Sequence, residues 1–258
     1  VKRLSRFGRT LGVGLSFAYF SLWGLTLGIL VFPWLSLFRK NKRQRRERFM
    51  RHMQWSWRVF LRFMMRVRAF HRITVEGNLD AVQSQPCLII ANHITLVDIV
   101  ALGAYVENFN CIVKESAWRH PFYGTVLRHC EFIPNTTSVS LIEQCAQSFA
   151  ESRPLVIFPS GTRTPPGAPI RFQRGAAQVA VRTGVPIVPV LVTCDPPTLI
   201  KGEPWYRVPH RAPTLRLRVQ PAMEIPAHIQ EEPRIPVRVR LLNQHFENYF
   251  AEKLAPPH

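Results

Sequence analysis

A chain of 258 residues can bury one sizeable core, with room for a small added element. Its net charge of +18 is unevenly placed: residues 1–72 hold 17 of the 34 Lys and Arg and one of the 16 Asp and Glu, leaving 17 basic against 15 acidic residues beyond, so a basic module precedes a nearly neutral body. The five cysteines (Cys87, Cys111, Cys130, Cys145, Cys194) form no C-x-x-C pair and no metal-ligand spacing, which excludes a cysteine metal framework; they read as small buried hydrophobes in a reducing compartment.

Lys2, Arg3, Arg6 and Arg9 open the chain, and no charged residue follows from Thr10 to Phe38. This run is long enough to span a bilayer once and too short to cross twice. Arg39, Lys40, Lys42, Arg43, Arg45, Arg46 and Arg48 come next, so both flanks are basic. A simple span would leave four positive charges outside, against the positive-inside tendency. Gly24, Gly28 and Pro33 offer bend points, which favours a re-entrant or interfacial segment with both ends cytoplasmic over a true span. A cleaved signal peptide fits less well, because the apolar region is long and no small-residue site precedes the basic run. Residues 48–70 read as an amphipathic helix, with Met50, Met53, Trp57, Phe60, Leu61 and Met64 on one face and Arg51, Arg58, Arg62 and Arg66 on another. Such a helix packs on a core or lies in a headgroup layer; the adjoining uncharged run favours the membrane. Nucleic acid is not an expected partner, since no binding motif accompanies the charge.

From Ile73 strands and helices alternate, as in an α/β body over residues 73–258 with a mixed, largely parallel sheet flanked by helices, behind membrane-associated N-terminal helices over 1–72. Expected strands are Ile73–Glu76, Leu88–Ala91, Asn110–Val113, Phe132–Ile133, Leu155–Phe158, Ile187–Val192 and, as an edge, Leu215–Val219 with Arg216 and Arg218 facing out. Expected helices are Leu96–Val106, Pro121–His129, Ser138–Glu151, Gly175–Thr183 ending at Gly184, and an amphipathic Val237–Leu254.

Two stretches carry chemistry. Asn92 and His93 follow the buried run Leu88–Ala91, and Asp98 comes five residues after His93. Positions i and i+5 of a regular helix do not face each other. The pair meets only if His93 lies in the turn and Asp98 one turn inside a helix beginning near Ile94. Asp98 then fixes the imidazole tautomer and leaves the other nitrogen as a base. Free N–H groups at that helix start, or near Gly161, are candidate oxyanion donors. A packed histidine and a solvated aspartate are the plainer alternative for so short a pattern. The second stretch, Pro159–Thr164, also follows a buried strand. Gly161 permits close approach, Ser160 and Thr162 offer hydroxyls, and Arg163 suits a phosphate or carboxylate; a surface turn is again the plainer alternative. No G-x-S-x-G elbow supports Ser160 as a nucleophile, and no G-x-x-x-x-G-K-[ST] loop supports nucleotide hydrolysis.

Together these residues resemble the lysophospholipid acyltransferase family, typified by 1-acyl-glycerol-3-phosphate acyltransferases. Asn92–His93–x4–Asp98 matches its N-H-x4-D block, Phe158–Thr164 resembles F-P-E-G-T-R-S, and Val185–Val190 resembles V-P-I-V-P-V, in family order over residues 75–195. The resemblance implies acyl transfer from an acyl thioester, on coenzyme A or acyl carrier protein, to a lysophospholipid hydroxyl in phospholipid biosynthesis, with His93 as base and Asp98 orienting it. It implies no metal and no further cofactor, membrane lipids as partners, and a place at the cytoplasmic face of a bacterial inner membrane. It assigns the acceptor to Ser160, Gly161, Thr162, Arg163 and the position of Asn135. Val185–Val190 would support the site or an acyl path, or be a plain core strand. Two departures stand out: Ser160 replaces the family Glu, and Asn135 stands where an acceptor-phosphate Arg is expected. They motivate two alternatives, a hydroxylated acceptor lacking glycerol phosphate and a non-catalytic lipid-binding homologue.

Overall fold

The computed structural model describes residues 2–37, 41–135, 140–165 and 167–255; Phe38, Arg39 and Lys40 of the expected membrane run and Ser138 at an expected helix start lie outside them. Helix α1 (Lys2–Thr26) continues through a π turn (Leu27–Val31) into α2 (Phe32–Ser36). Pro33 lacks the N–H of a regular turn and its ring crowds the turn before it. A π turn stands just upstream of it, and the helical stretch runs on unbroken past Gly24, Gly28 and Pro33. Arg6–Ser36 is one stretch of 31 residues, long and apolar enough to cross a membrane, and only 22% of its most apolar window is buried in the protein. Leu11, Leu15, Leu22 and Leu30 are exposed along it.

The side-chain oxygen of Asn41 accepts from the N–H groups of Arg43 (2.9 Å) and Gln44 (3.4 Å) and so caps α3 (Lys42–Arg66). Helix α3 returns antiparallel to α1, with Phe49 stacked on Phe32 at 4.5 Å and Phe63 on Tyr19 at 5.3 Å. Its apolar face is not free for a headgroup layer. Phe49, Met53, Trp57, Phe60 and Met64 are buried in the protein core, while Arg51, Arg62 and Arg66 are exposed. A periodic apolar face gains as much from a protein neighbour as from lipid, and here the neighbour is the body.

The body continues with β1 (Arg72–Gly77), α4 (Asp80–Gln83), β2 (Leu88–Ala91), α5 (Asp98–Gly103), β3 (Asn110–Val113), α6 (Glu115–Trp118), α7 (Gly124–His129), β4 (Ile133–Pro134), α8 (Ser140–Ala150), β5 (Leu155–Ile157), α9 (Gly175–Thr183), β6 (Ile187–Asp195), β7 (Thr214–Val219), α10 (Ala227–Gln230) and α11 (Ile235–Leu254). The seven strands form one sheet in the order β1-β7-β6-β2-β5-β3-β4. All neighbours are parallel except β6 and β7. Strand β7 is interior, paired to β1 and β6, and is not the edge expected of it. Its alternation arises because one face is covered and the other open: Leu215 and Leu217 are buried, Arg216 and Arg218 exposed.

Successive residues of β2 and β5 feed two cores. Leu88, Ile90, Leu155 and Ile157 pack on one face with α8, α9 and α11, and Ile89, Ala91 and Val156 on the other with α3 and α5. The second core runs without a break from Phe49 and Trp57 to Leu217, so the N-terminal helices share it with the sheet. Gly103 allows this closeness, since a Cβ there would lie 2.5 Å from both Trp57 and Phe109. Polar contacts tie the same helices down. Gln54 donates to the carbonyls of Gly103 (3.0 Å) and Val106, and Arg58 to that of Ala104 (2.7 Å), closing the C-terminal end of α5. Arg46 pairs with Glu131 (2.9 Å) and Glu151 (2.6 Å).

Strand β2 lies between β5 and β6 in parallel register, Ile90 facing Ile157 and Pro189, so the loops leaving β2 and β5 emerge side by side. Asn92 extends the ladder with its side chain: the amide donates to the Val192 carbonyl (2.8 Å) and its oxygen accepts the Val192 N–H (2.8 Å). Both Val192 groups lose their partner in Asn92→Ala, at about 1–3 kcal/mol for each buried group left unsatisfied. We expect the denaturant midpoint of that variant to fall accordingly, measured by urea unfolding in detergent micelles; an unchanged midpoint would show that water replaces the amide freely.

Candidate active site

His93 follows β2 after Asn92, and Ile94–Val97 lead into α5, which begins at Asp98. The helix expected from near Ile94 or Leu96 to Val106 is therefore short, and Asp98 is its first residue rather than one turn inside. The reason is local. The Asp98 carboxylate accepts the N–H groups of Ile94 (2.7 Å) and Thr95 (2.9 Å) and the Thr95 hydroxyl (2.5 Å), while the Thr95 oxygen accepts the Val97 N–H (3.1 Å). These side-chain bonds hold the backbone out of helix until Asp98. They also place the carboxylate against His93, with Nδ1 and Oδ2 2.8 Å apart. Asp98 is fully buried, whereas the His93 side chain is 20% exposed. A carboxylate only accepts here, so Nδ1 carries the proton and Nε2 is left as the acceptor.

The turn after β5 meets this one. The Thr164 N–H donates to the His93 carbonyl at 2.7 Å, and the Phe158 ring lies 4.6 Å from the imidazole. Gly161 takes a left-handed φ of 64°, which a side chain would strain, and its N–H closes the turn on the Phe158 carbonyl at 2.9 Å. The expected oxyanion donors are thus largely engaged: Ile94 and Thr95 on Asp98, Val97 on Thr95, Gly161 on Phe158. The N–H groups of Thr162 and Arg163 have no acceptor among the described residues.

A cavity of about 980 Å³ opens beside the pair. Its polar lining includes His93, Lys114, Asn135, Thr162, Arg163 and Lys201, and no Asp or Glu lines it among the described residues. Its apolar lining includes Phe17, Phe20 and Trp23 of α1, Trp57 and Phe60 of α3, and Val100 of α5. Of the expected acceptor residues, Gly161, Thr162, Arg163 and Asn135 line this cavity. Ser160 does not: its hydroxyl donates to the Thr162 carbonyl at 2.7 Å and serves its own turn. Arg163 donates to the Leu199 carbonyl at 2.5 Å, and burial lowers its guanidinium from the ordinary value against the opposing pull of Asp98. Val185–Val190 does not reach the cavity; its second half is core strand β6. Burial pushes the thiols of Cys87, Cys111, Cys130 and Cys145 up to about 12, so none offers a thiolate at neutral pH.

Sequence reasoning assigned no role to Lys114 or Lys201. Lys114 follows β3 as His93 follows β2, and that position at the carboxyl edge of the sheet was a usable signal. Lys201 lies in the loop between β6 and β7, and only the fold brings it in.

Residues 72–193 match the model of the Acyltransferase family. The chain is 28% identical over 242 residues to the 1-acyl-sn-glycerol-3-phosphate acyltransferase of Pseudomonas aeruginosa, covering 91% of this chain and 89% of that protein. It is 36% identical over 112 residues to the protein of that name from Helicobacter pylori, covering 41% of this chain and 47% of that one. The crystal structure of the 1-acyl-sn-glycerophosphate acyltransferase of Thermotoga maritima matches with a TM-score of 0.69 at 17% identity, covering both chains completely, and so shares the fold.

Proposed function

We propose that this acyltransferase, whose residues 72–193 match the Acyltransferase family, moves a fatty acyl group from an acyl thioester to the free hydroxyl of 1-acyl-glycerol-3-phosphate. One observation carries this reading. His93, held by Asp98, lines a single cavity that is walled both by cations and by a large apolar surface. A lysophospholipid has a charged end and an apolar end, and its hydroxyl lies between them.

His93 Nε2 takes the hydroxyl proton as the oxygen attacks the thioester carbonyl carbon. Asp98 holds the imidazole and stabilises the imidazolium. The N–H groups of Thr162 and Arg163 are the donors left for the carbonyl oxygen as it becomes negative. Collapse breaks the carbon–sulfur bond, and the thiolate leaves with the proton from His93. No acyl-enzyme intermediate is needed. Coenzyme A and acyl carrier protein both present this thioester. The outward leucines of Arg6–Ser36 support a membrane-bound enzyme, and the basic residues on both flanks support a site at the cytoplasmic face.

Asn135 favours a second reading, in which the acceptor lacks glycerol phosphate, because a neutral side chain lines the polar wall where the family resemblance implies a cation. One panel separates the two. Purified protein in mixed micelles, given acyl-CoA and acyl carrier protein thioester in turn, is offered lysophosphatidate, lysophosphatidylcholine and monoacylglycerol. We expect kcat/KM for lysophosphatidate to exceed that for monoacylglycerol by at least about tenfold, as one charge-assisted phosphate contact supplies. Preference for monoacylglycerol would install the second reading, and lipid binding without thioester turnover would leave a non-catalytic homologue.

A further inference from the structure

The loop 196–213 reaches the active site from beyond the residues that match the family. Its first turn is held firmly. Leu199 adopts a left-handed φ of 51°, its side chain is 5% exposed, and its carbonyl accepts the Arg163 guanidinium at 2.5 Å. Gly202, with φ of 85°, turns the chain again. Lys201 stands between these two fixed points and forms part of the cavity wall. Further on, Trp205 meets Phe17 of α1 edge to face at 6.1 Å, and Arg9 donates to the carbonyls of Pro209 (3.0 Å) and His210 (2.6 Å). The loop is thus fastened to Arg163 at one end and to the apolar N-terminal helix at the other.

Charge makes this placement consequential. Lys114, Arg163 and Lys201 line the same cavity without a lining carboxylate among the described residues, and neither lysine has an ion-pair partner among them. Three cations and a neutral Asn135 lining one cavity favour a multiply charged anion. The exposed rings of Trp205 and Tyr206, four and five residues on, are of the kind that settles at headgroup level in a bilayer.

We propose that Lys201 is an acceptor-binding residue that grips the phosphate monoester of the lysophospholipid together with Arg163 and Lys114. It provides from the β6–β7 loop a positive charge that Asn135 does not, and it rests on the reading that the acceptor carries a phosphate. The test uses the full chain in mixed micelles, with lysophosphatidate and acyl-CoA varied separately. Lys201→Gln is expected to raise KM for lysophosphatidate about tenfold, with kcat and the KM for acyl-CoA within about twofold of wild type. Lys201→Arg should restore the acceptor KM, which a merely structural role would not require. An unchanged acceptor KM in an active Lys201→Gln enzyme overturns the proposal. So does a rise confined to the acyl-CoA KM, which would assign the lysine to the donor's phosphates. A wild-type enzyme that prefers a phosphate-free acceptor defeats the underlying reading and this proposal with it, a result distinct from either of those.

Discussion

His93→Ala is expected to lower kcat by about 10²- to 10⁴-fold, the usual contribution of a positioned general base, and to leave the fold standing. The imidazole is partly exposed at the cavity, and the bond that ties the two turns together uses its main-chain carbonyl, which alanine keeps. The Phe158 ring loses one neighbour and gains room. Release of free thiol from acyl-CoA in the presence of lysophosphatidate measures the loss. Circular dichroism and recovery in the membrane fraction check that the protein is intact. Near-normal transfer by a folded, membrane-bound variant would remove His93 from the mechanism.

Asp98→Asn should do two kinds of damage where His93→Ala does one. Four donors converge on the carboxylate: the imidazole, two backbone N–H groups and the Thr95 hydroxyl. An amide of the same shape replaces one accepting oxygen with a donating nitrogen. Oδ2 accepts from the imidazole and from both backbone N–H groups, and Oδ1 from the Thr95 hydroxyl. With the amide nitrogen at the Oδ2 position, it faces the imidazole as a donor, moves the ring proton to Nε2, where the base is lost, and strands both N–H groups. The expected fall in kcat is then about 10⁴-fold, the size seen when a catalytic histidine is held in the wrong tautomer. With the oxygen at Oδ2 the tautomer holds, but the charge that stabilises the imidazolium is gone and the Thr95 hydroxyl proton loses its acceptor, and a buried donor without an acceptor costs about 1–3 kcal/mol. Either way the variant should be less active, and it should unfold at lower urea than His93→Ala. An Asp98→Asn enzyme with wild-type kcat would mean that Asp98 merely organises the turn.

The sheet was readable because its strands are short apolar runs with clear stops. Asn110–Val113 and Gly175–Thr183 stand where the pattern placed them, the latter closed by Gly184 with φ of 65°. The meeting of His93 and Asp98 was readable as a possibility of their spacing, though the two meet with Asp98 as the first residue of α5 and not one turn inside it. The helix start was not, because the competition between Thr95 and Asp98 side chains and the backbone does not show in apolar periodicity. Helix α3 was misassigned because the spacing of Met53, Trp57, Phe60 and Met64 says that one face is buried and not what buries it. The alternation in β7 was misread likewise, as a report on position when it reports on cover. Lys201 and Arg163 are far apart in the chain, and their common cavity follows from the fold alone.

The contacts of Gln54 and Arg58 with the last carbonyls of α5 carry a practical consequence. That helix is six residues long, and its opposite end is Asp98. A fragment made by cutting between Arg66 and Arg72 would leave those carbonyls without their partners, strip Trp57 from beside Gly103, and unseat the short rod on which the Asp98 carboxylate is mounted. The greasy leading helices are therefore a brace for the His93–Asp98 pair, and the protein has to be handled whole.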